Sequence, residues 1–181
     1  MKIGIIGGGA FGTALGVALA LDGNDIALWA RDADAVETMQ NTRINAKLPG
    51  VTLPQKIAVS AKLDTVFACD ALLLAIPAQT LPNFLNAHAE RLSGKYLVAC
   101  CKGIDLTRMT GPASTIRDLV PDATAAMLTG PSFAADIARG LPTALTLACA
   151  DDAHGAILQT ALSTTSLRLY RTTDTIGAEL G

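Results

Sequence analysis

Charged residues are scarce in this sequence, and neither sign is in excess. Of its 181 residues, 17% are charged, against roughly 25% in an average soluble protein. Half of the residues are apolar, which excludes disorder, because a disordered chain combines low hydrophobicity with high charge. The net charge of -2 leaves no basic surplus to attract nucleic acid or an anionic membrane surface. So few charges also indicate that part of the surface is normally covered.

Long apolar runs are absent as well. No segment reaches the roughly 20 apolar residues of a membrane span. The apolar stretch at residues 10–21 follows glycines and precedes no cleavage signal of small residues, so a signal peptide is excluded. We therefore expect a cytoplasmic protein without a membrane span.

Cysteine is present in small number and without a metal-binding or disulfide pattern. Cys69, Cys100, Cys101 and Cys149 each lie within an apolar run, and their spacing contains no CxxC pair. The sequence predicts buried thiols in a reducing compartment and no metal site.

Short apolar runs alternate with longer helical stretches along the chain, whose length favours a single domain. Strands are predicted at residues 2–6, 25–30, 57–60, 71–76, 95–101, 125–128, 143–149 and 167–170. Helices are predicted at residues 10–21, 34–41, 79–91, 112–119, 132–139 and 151–162, with a further one starting at 173. Wholly apolar strands separated by helices indicate an α/β fold, a doubly wound, mainly parallel sheet with helices on both faces.

A glycine-rich turn directly follows the first predicted strand and opens the first helix. Gly7, Gly9 and Gly12 have the GxGxxG spacing, in the context that a Rossmann-type fold uses to bind a dinucleotide. Gly7 permits the tight turn, Gly9 lets a pyrophosphate approach the backbone, and Gly12 lets the helix pack closely on the strand. The alternative is a glycine-rich turn without a ligand.

The end of the second strand bears on the choice between NADP and NAD. Arg31 can pair with a 2′-phosphate, whereas a carboxylate such as Asp32 would accept from a ribose hydroxyl. Arg31 favours NADP, Asp32 leaves NAD open, and Arg31 could also be a solvated loop cation. Trp29, just before them, is expected to pack rather than to touch a ligand.

Further polar groups follow other strands, and ligands of open α/β sheets bind at the carboxyl ends of the strands. Lys102 comes directly after a buried strand and should emerge in this crevice. The alternative is a lysine that reaches solvent at a sheet edge. Gly130, Pro131 and Ser132 follow another strand, as an anion-binding turn or simply as the start of a helix.

A general base is not evident. The only histidines, His88 and His154, lie in helices far in sequence from the strand ends, so we expect solvated surface residues. No Ser/His/Asp arrangement is present, although hydride transfer at an alcohol carbon needs a group that takes the proton. No catalytic residue is therefore assigned.

Six segments together resemble the bacterial NAD(P)-dependent glycerol-3-phosphate dehydrogenases along nearly the whole chain. They are MKIGIIGGGAFGTALG, LWARD, NTRINAKLPGVTLP, AIPAQ, CKGID and LTGPSFAADIARGLPTAL. The resemblance implies an oxidoreductase that interconverts sn-glycerol 3-phosphate and dihydroxyacetone phosphate with NADP or NAD, for phospholipid biosynthesis.

The resemblance also implies site residues. It adds Ala10, Phe11 and Ala134 to the cofactor contacts, and it places Arg31 near the adenosine ribose. It gives Lys102 contacts with both cofactor and substrate, and it makes Gly130 and Ser132 substrate ligands.

The family continues after this segment with a lysine that acts as general base and with a helical substrate domain. We accordingly expect a dinucleotide-binding domain at 1–172, the start of a connection at 173–181, and little turnover by this chain alone. Homodimerisation of the full-length enzyme stays open. Two alternatives remain: another two-domain reductase, of the ketopantoate or 6-phosphogluconate type, and a regulatory domain that senses a dinucleotide.

Overall fold

The computed structural model describes residues 1–180, and eight strands form its sheet. The strands are β1 (Ile3–Ile6), β2 (Ile26–Trp29), β3 (Ile57–Ser60), β4 (Ala71–Leu74), β5 (Tyr96–Ala99), β6 (Thr124–Thr129), β7 (Thr143–Cys149) and β8 (Leu167–Thr172). Their spatial order is β3-β2-β1-β4-β5-β6-β7-β8, so the chain starts in the middle of the sheet and winds outward in both directions.

Within residues 1–180, eight α-helices and a 3-10 turn at Ala78–Thr80 connect or follow these strands. They are α1 (Ala10–Leu21), α2 (Ala33–Thr42), α3 (Asp64–Phe67), α4 (Leu81–Leu92), α5 (Pro112–Leu119), α6 (Ala134–Ala138), α7 (Asp152–Leu162) and α8 (Thr175–Leu180). The predicted bounds of α1, α5 and β7 are confirmed to the residue, because glycine, proline or a polar turn marks each of their ends.

Neighbouring strands are parallel except at one place. β1 pairs in parallel with both β2 and β4, with Ile3 opposite Ile26 on one side and Ala71 on the other. The β6–β7 pair is antiparallel, and β7–β8 is parallel again. The mainly parallel sheet is thus confirmed, and β1, β2, β4, β5 and β6 bring their carboxyl ends to one edge.

Helices cover both faces of the sheet, which accounts for the wholly apolar strands. One core cluster joins Ile5 to side chains of α1, α2, α6 and α7. The other joins Leu74 to side chains of α3, α4 and α5. Alternate residues of a strand point to opposite faces, so strands buried on both sides carry no polar alternation.

Several local predictions were wrong. The short helix α3 was not predicted, since four residues are too few for a helical period. The helix predicted at 34–41 spans Ala33–Thr42, because the side chain of Asp32 caps it and accepts from the N–H groups of Asp34 and Ala35. The helix predicted from residue 132 begins at Ala134.

The histidines are half-buried, not solvated as predicted. The ring of His88 packs against Phe67 and Phe84, with centroid distances of 5.2 and 4.8 Å. Nδ1 of His154 lies 3.0 Å from the hydroxyl of Tyr96. Both histidines are in helices, and residues distant in the sequence pack against their rings. The neighbouring sequence contains no apolar pattern that would predict this burial.

The last helix, α8, packs against β6, β7 and α5. Its start agrees with the helix expected from 173, whereas Gly181, the last residue of the expected connection at 173–181, lies outside the described residues. Among residues 1–180, no helix is both long and apolar enough to cross a membrane.

Candidate functional site

The glycine-rich turn runs from the end of β1 into α1. Gly7 has φ +124, and a Cβ there would overlap the carbonyl oxygen of Ala75. A Cβ on Gly12 would overlap the Gly7 carbonyl oxygen and lie 2.9 Å from Cβ of Ala75. These two glycines are therefore needed for the close passage of the turn and α1 over β4.

Gly9 differs from its neighbours because it faces open space. A Cβ on Gly9 would have no neighbour within 4 Å, although the residue has an ordinary extended backbone with φ -76. Gly9 is the N-cap of α1 and supplies no side chain to the N–H groups of the first turn. The turn is thus a concave backbone surface with free donors at a helix N-terminus, which fits an anionic ligand.

Arg31 lies beside this turn. A Cβ on Gly8 would lie 2.7 Å from Cβ of Ala30, so the chain leaving β2 passes directly against the turn. Arg31 is exposed, and within residues 1–180 it is in no salt bridge. By contrast, the carboxylate of Asp32 is engaged with α2.

Trp29 packs as predicted. Its indole N–H donates to the carbonyl oxygen of Ala61 at 3.0 Å, and its ring lies 6.3 Å from that of Phe84. The side chain is thereby held away from the glycine turn, and the prediction that it packs is confirmed.

The carboxyl ends of β5 and β6 meet α1 in a cleft of about 240 Å³, which we call the strand-end cleft. Its lining residues are Phe11, Cys100, Lys102, Leu128, Thr129, Gly130 and Ser132. Four of these were predicted for the site: Phe11, Lys102, Gly130 and Ser132. The structure thus brings together residues from three sequence segments that lie up to 121 positions apart.

Lys102 and Gly130 are in direct contact. The ammonium of Lys102 donates to the carbonyl oxygen of Gly130 at 3.2 Å, and the side chain is exposed. Of the described residues that line the strand-end cleft, Lys102 alone is charged. Because an ammonium has three donors, two remain for an anionic or hydroxylated ligand.

Ala10 and Ala134 border the cleft without lining it. They pack, with Phe11, against the core cluster on the α1 face of the sheet, where α1 and α6 are in contact. Ser132 precedes α6, and its N–H donates to the Gly130 carbonyl oxygen at 3.0 Å. Arg31 after β2, the glycine turn after β1, and the cleft at β5 and β6 lie in this order along the same edge of the sheet.

Three cleft residues were missed: Cys100, Leu128 and Thr129. Cys100 and Leu128 are apolar residues of the kind that the sequence assigns to the core, so no local signal distinguishes them. Thr129 is polar and ends β6, directly before the predicted Gly130. Burial raises the pKa of the Cys100 thiol, with a smaller contribution from Cys101. Cys100 therefore lines the cleft as a neutral, unreactive thiol.

The described residues contain no cluster of three or more His, Cys, Asp or Glu side chains with metal-binding geometry. All four cysteines are buried and free, as predicted. The cleft lining itself, within residues 1–180, includes no carboxylate and no imidazole.

The fold and the site together define a class of protein. A doubly wound parallel sheet in which a GxGxxG turn joins the central strand to a helix is the Rossmann-type dinucleotide-binding domain. Its cleft lies at the carboxyl ends of β5 and β6, along the edge of the sheet where such domains bind their ligands.

Comparison with known proteins identifies the family. Residues 2–155 match the family described as NAD-dependent glycerol-3-phosphate dehydrogenase N-terminus, and the chain belongs to this family. A glycerol-3-phosphate dehydrogenase (NAD(P)+) of Ruegeria sp. (strain TM1040) is 55% identical over 182 residues, which are 100% of this chain and 57% of that protein. The protein of the same name from Paracoccus denitrificans (strain Pd 1222) is 55% identical, with 100% and 56% covered. The chain thus spans somewhat more than half the length of these relatives.

A solved structure has the same fold. Glycerol-3-phosphate dehydrogenase from Coxiella burnetii superposes with a TM-score of 0.92 at 26% identity, over 99% of this chain and 56% of that one. UDP-D-ManNAc dehydrogenase from Pyrococcus horikoshii superposes with a TM-score of 0.80 at 14% identity, which shows the fold alone. The resemblance seen in the sequence motifs is therefore confirmed.

Proposed function

We propose that this chain is the cofactor-binding part of an enzyme that interconverts sn-glycerol 3-phosphate and dihydroxyacetone phosphate with NADP or NAD. The observation that carries the proposal is the meeting of Phe11, Lys102, Gly130 and Ser132 in one cleft next to the glycine turn. The family supports the same substrates, since the relatives are glycerol-3-phosphate dehydrogenases.

The glycine turn is the proposed binding site of the cofactor's pyrophosphate. The open space at Gly9 lets two phosphates approach the backbone, and the N–H groups at the start of α1 donate to them. Ala10, Phe11 and Ala134 then form an apolar border along which the bound cofactor extends toward the cleft. A bound nicotinamide supplies the hydride acceptor or donor.

The strand-end cleft is the proposed substrate site. Lys102 pairs with the substrate and with the cofactor, because its ammonium has donors beyond the one used by the Gly130 carbonyl oxygen. Gly130 and Ser132 supply backbone and hydroxyl groups that orient the glycerol phosphate. These groups bind and orient the substrate, and the role of a proton acceptor is assigned to none of them.

Arg31 is the proposed determinant of cofactor choice. Its guanidinium is exposed beside the turn, whereas the Asp32 carboxylate caps α2. A 2′-phosphate would therefore meet a cation and not a free carboxylate. We infer a preference for NADPH over NADH.

A comparison of two cofactors tests this role. In the variant Arg31→Ala, NADPH should bind about tenfold more weakly or worse, because a charge-assisted hydrogen bond to the 2′-phosphate is lost. NADH affinity should change by less than about twofold. Dissociation constants are measured by fluorescence of the reduced nicotinamide.

The matched control is Arg168→Ala. Arg168 is an exposed arginine of β8, at the opposite edge of the sheet from β2 and β3, so both affinities should stay as in the wild type. An equal loss of NADH and NADPH binding in Arg31→Ala would refute the 2′-phosphate role.

A substitution of Lys102 distinguishes the proposed enzyme from the alternative of a regulatory domain that senses a dinucleotide. If the cleft binds substrate and cofactor together, Lys102→Ala should abolish the effect of added glycerol 3-phosphate on NADPH fluorescence and weaken NADPH binding by about threefold or more. A sensing domain would bind NADPH equally well with and without this lysine. Lys56→Ala, an exposed lysine just before β3, is the control.

The proposal also covers the cellular compartment of the protein and its oligomeric state. Four free, buried thiols favour a reducing compartment, and we place the protein in the cytoplasm. Homodimerisation of the longer protein stays a prediction, to be measured by light scattering.

A further inference from the structure

The loop between α2 and β3 carries polar side chains that point inward. Arg43, in the left-handed conformation with φ 57, donates from its guanidinium to the carbonyl oxygens of Leu53, Pro54 and Ile57. The N–H of Leu53 donates back to the Arg43 carbonyl oxygen at 2.8 Å. The two ends of the loop are thus tied together, so the segment between them has a defined shape.

Asn45 is the residue that this loop inserts beneath the glycine turn. Its side chain is buried, with 5% of the residue exposed. Its Nδ2 donates to the hydroxyl of Thr13 at 2.7 Å and to the carbonyl oxygen of Gly8 at 3.1 Å. Its Oδ1 accepts from the N–H of Lys47 at 3.0 Å. A carbonyl on one side and an N–H on the other fix the orientation of the amide.

The bond to Gly8 sets the direction of the next N–H group. The Gly8–Gly9 peptide is trans, because residues 1–180 contain no cis peptide bond. In a planar trans peptide the C=O and the N–H point in opposite directions. Since the Gly8 carbonyl oxygen is held inward on Asn45, the Gly9 N–H points in the opposite direction, away from Asn45.

The glycines themselves do not enforce this orientation. Glycine populates a wide range of backbone conformations, and Gly7, Gly8 and Gly9 are consecutive. A peptide between two glycines can rotate at low cost, which would turn a carbonyl oxygen toward the pyrophosphate and repel it. Asn45 also reaches Thr13, in the first turn of α1, so one side chain joins the turn to the helix.

We propose that Asn45 is a positioning residue for the dinucleotide site: its amide holds the Gly8–Gly9 peptide with the N–H directed at the ligand. The inference rests on the proposed binding of NAD(P) at the glycine turn. Asn45 touches no ligand itself, and its effect on affinity passes through the backbone of the turn. The loop at residues 43–54 thereby becomes part of the cofactor site, although it lies outside the GxGxxG segment.

Two substitutions test the proposal. Asn45→Ala removes both donated hydrogen bonds, and Asn45→Asp keeps the shape but places an acceptor against the Gly8 carbonyl oxygen. Both variants of the 181-residue chain should bind NADH and NADPH about tenfold more weakly, equally for the two cofactors, since each has a pyrophosphate. Affinities are measured at a temperature where circular dichroism shows each variant to be folded.

The matched controls are Asn41→Ala and Asn41→Asp. Asn41 is the same residue type near the end of α2, and it is exposed, so its variants should bind both cofactors as the wild type does. A merely structural role of Asn45 would lower the unfolding temperature of its variants and leave the dissociation constants of the folded protein unchanged. That result would overturn the proposal.

A measurement on the wild type covers the case in which neither Asn45 variant folds. The side-chain amide protons of Asn45 should exchange with solvent much more slowly than those of Asn41, and their nuclear magnetic resonances should shift when NADPH is added. Exchange as fast as that of Asn41, or no shift at saturation, overturns the proposal. If the wild type binds neither NADH nor NADPH, the proposed function is refuted. Failure of the proposed function is thereby distinguished from failure of the proposed role of Asn45.

Discussion

At the scale of single residues, the glycines of the turn have different tasks. Gly12 is needed because a side chain there would collide with the Gly7 carbonyl oxygen and with Ala75. Gly9 is sterically free in the protein, so its lack of a side chain concerns a ligand and not the fold. The motif therefore contains one glycine that packing requires and one that we propose the ligand requires.

Alanine substitutions should separate these tasks. Gly9→Ala should leave the free energy of unfolding within about 1 kcal/mol of the wild type, because φ -76 suits alanine. Its affinity for NADPH should fall about tenfold or more, since the methyl group occupies the path of the pyrophosphate. Gly12→Ala should lower the free energy of unfolding by about 1–3 kcal/mol through overpacking.

Urea denaturation and cofactor titration of both variants provide the measurement. Gly23→Ala is not a suitable control, because Gly23 has φ +100 and alanine would be strained there. Ala153→Gly, at an exposed position of α7, tests the loss of a methyl group away from the turn and from the loop at residues 43–54. Unchanged NADPH binding by Gly9→Ala would contradict the placement of the pyrophosphate.

A second prediction at this scale concerns Cys101. Burial raises the pKa of its thiol from an ordinary value of 9.0 to about 11. In the unfolded chain the thiol ionises near pH 9, whereas in the folded chain it stays protonated to about pH 11. The raised pKa therefore contributes stability that is present below pH 9 and is lost as the pH rises toward 11.

The free energy of unfolding should accordingly decrease between pH 9 and 11, and less steeply in Cys101→Ala than in the wild type. The two proteins differ only in the side chain at residue 101, so the difference between the two curves isolates the thiol. Parallel curves would show that the folded and unfolded thiols share one pKa. Thiol-alkylating reagents should label the folded chain slowly at pH 8, because the thiolate is the reactive form.

At the scale of elements, α8 and α5 are joined by polar contacts. The carboxylate of Glu179 accepts from the N–H of Ser114 at 2.9 Å and from its hydroxyl at 3.2 Å. Arg117 donates to the hydroxyl of Thr175 at 3.3 Å. A carboxylate at the N-terminus of α5 is favourable because it satisfies a free N–H and complements the helix dipole.

Removal of this contact should weaken the attachment of α8. Glu179→Ala is expected to lower the free energy of unfolding by about 1 kcal/mol, and Glu179→Gln by less, because the amide oxygen still accepts from Ser114. Glu90→Ala, an exposed position on α4, is the control. Urea denaturation measures the stability, and hydrogen exchange of the α5 amides localises the change. Wild-type stability of Glu179→Ala would contradict the role of the contact.

At the scale of the whole molecule, parallel pairing concentrates the site. Strands β1, β2, β4, β5 and β6 point the same way, so whatever follows each of them arrives at one edge. Phe11, Lys102 and Gly130 are far apart in the chain and still share a cleft. For this reason the residues that follow the strands anticipated Lys102, Gly130 and Ser132, and the family resemblance added Phe11.

Features that depend on residues close in the sequence were predicted, whereas those that depend on residues distant in the sequence were not. The bounds of α1 depend on the spacing of nearby glycines, and the burial of the cysteines depends on the apolar runs around them. Both features were predicted because these signals are local in the sequence. The reversal at β7 was not, because an apolar strand has the same residue pattern in either direction. Asn45 gave no signal, since its partners Gly8 and Thr13 are 37 and 32 positions away.

The order of apolar strands, helices and glycines along the sequence was enough to predict a doubly wound sheet and a glycine-rich turn of the dinucleotide-binding type. Sequence alone suffices for these features because backbone preferences and apolar periodicity are local. The motifs likewise carried the family. The packed structure decided which side chains meet in the cleft, that the Asp32 carboxylate beside Arg31 is engaged in capping α2, and what holds the Gly8–Gly9 peptide. Those contacts join residues that are distant in the chain, and folding alone brings them within hydrogen-bonding distance.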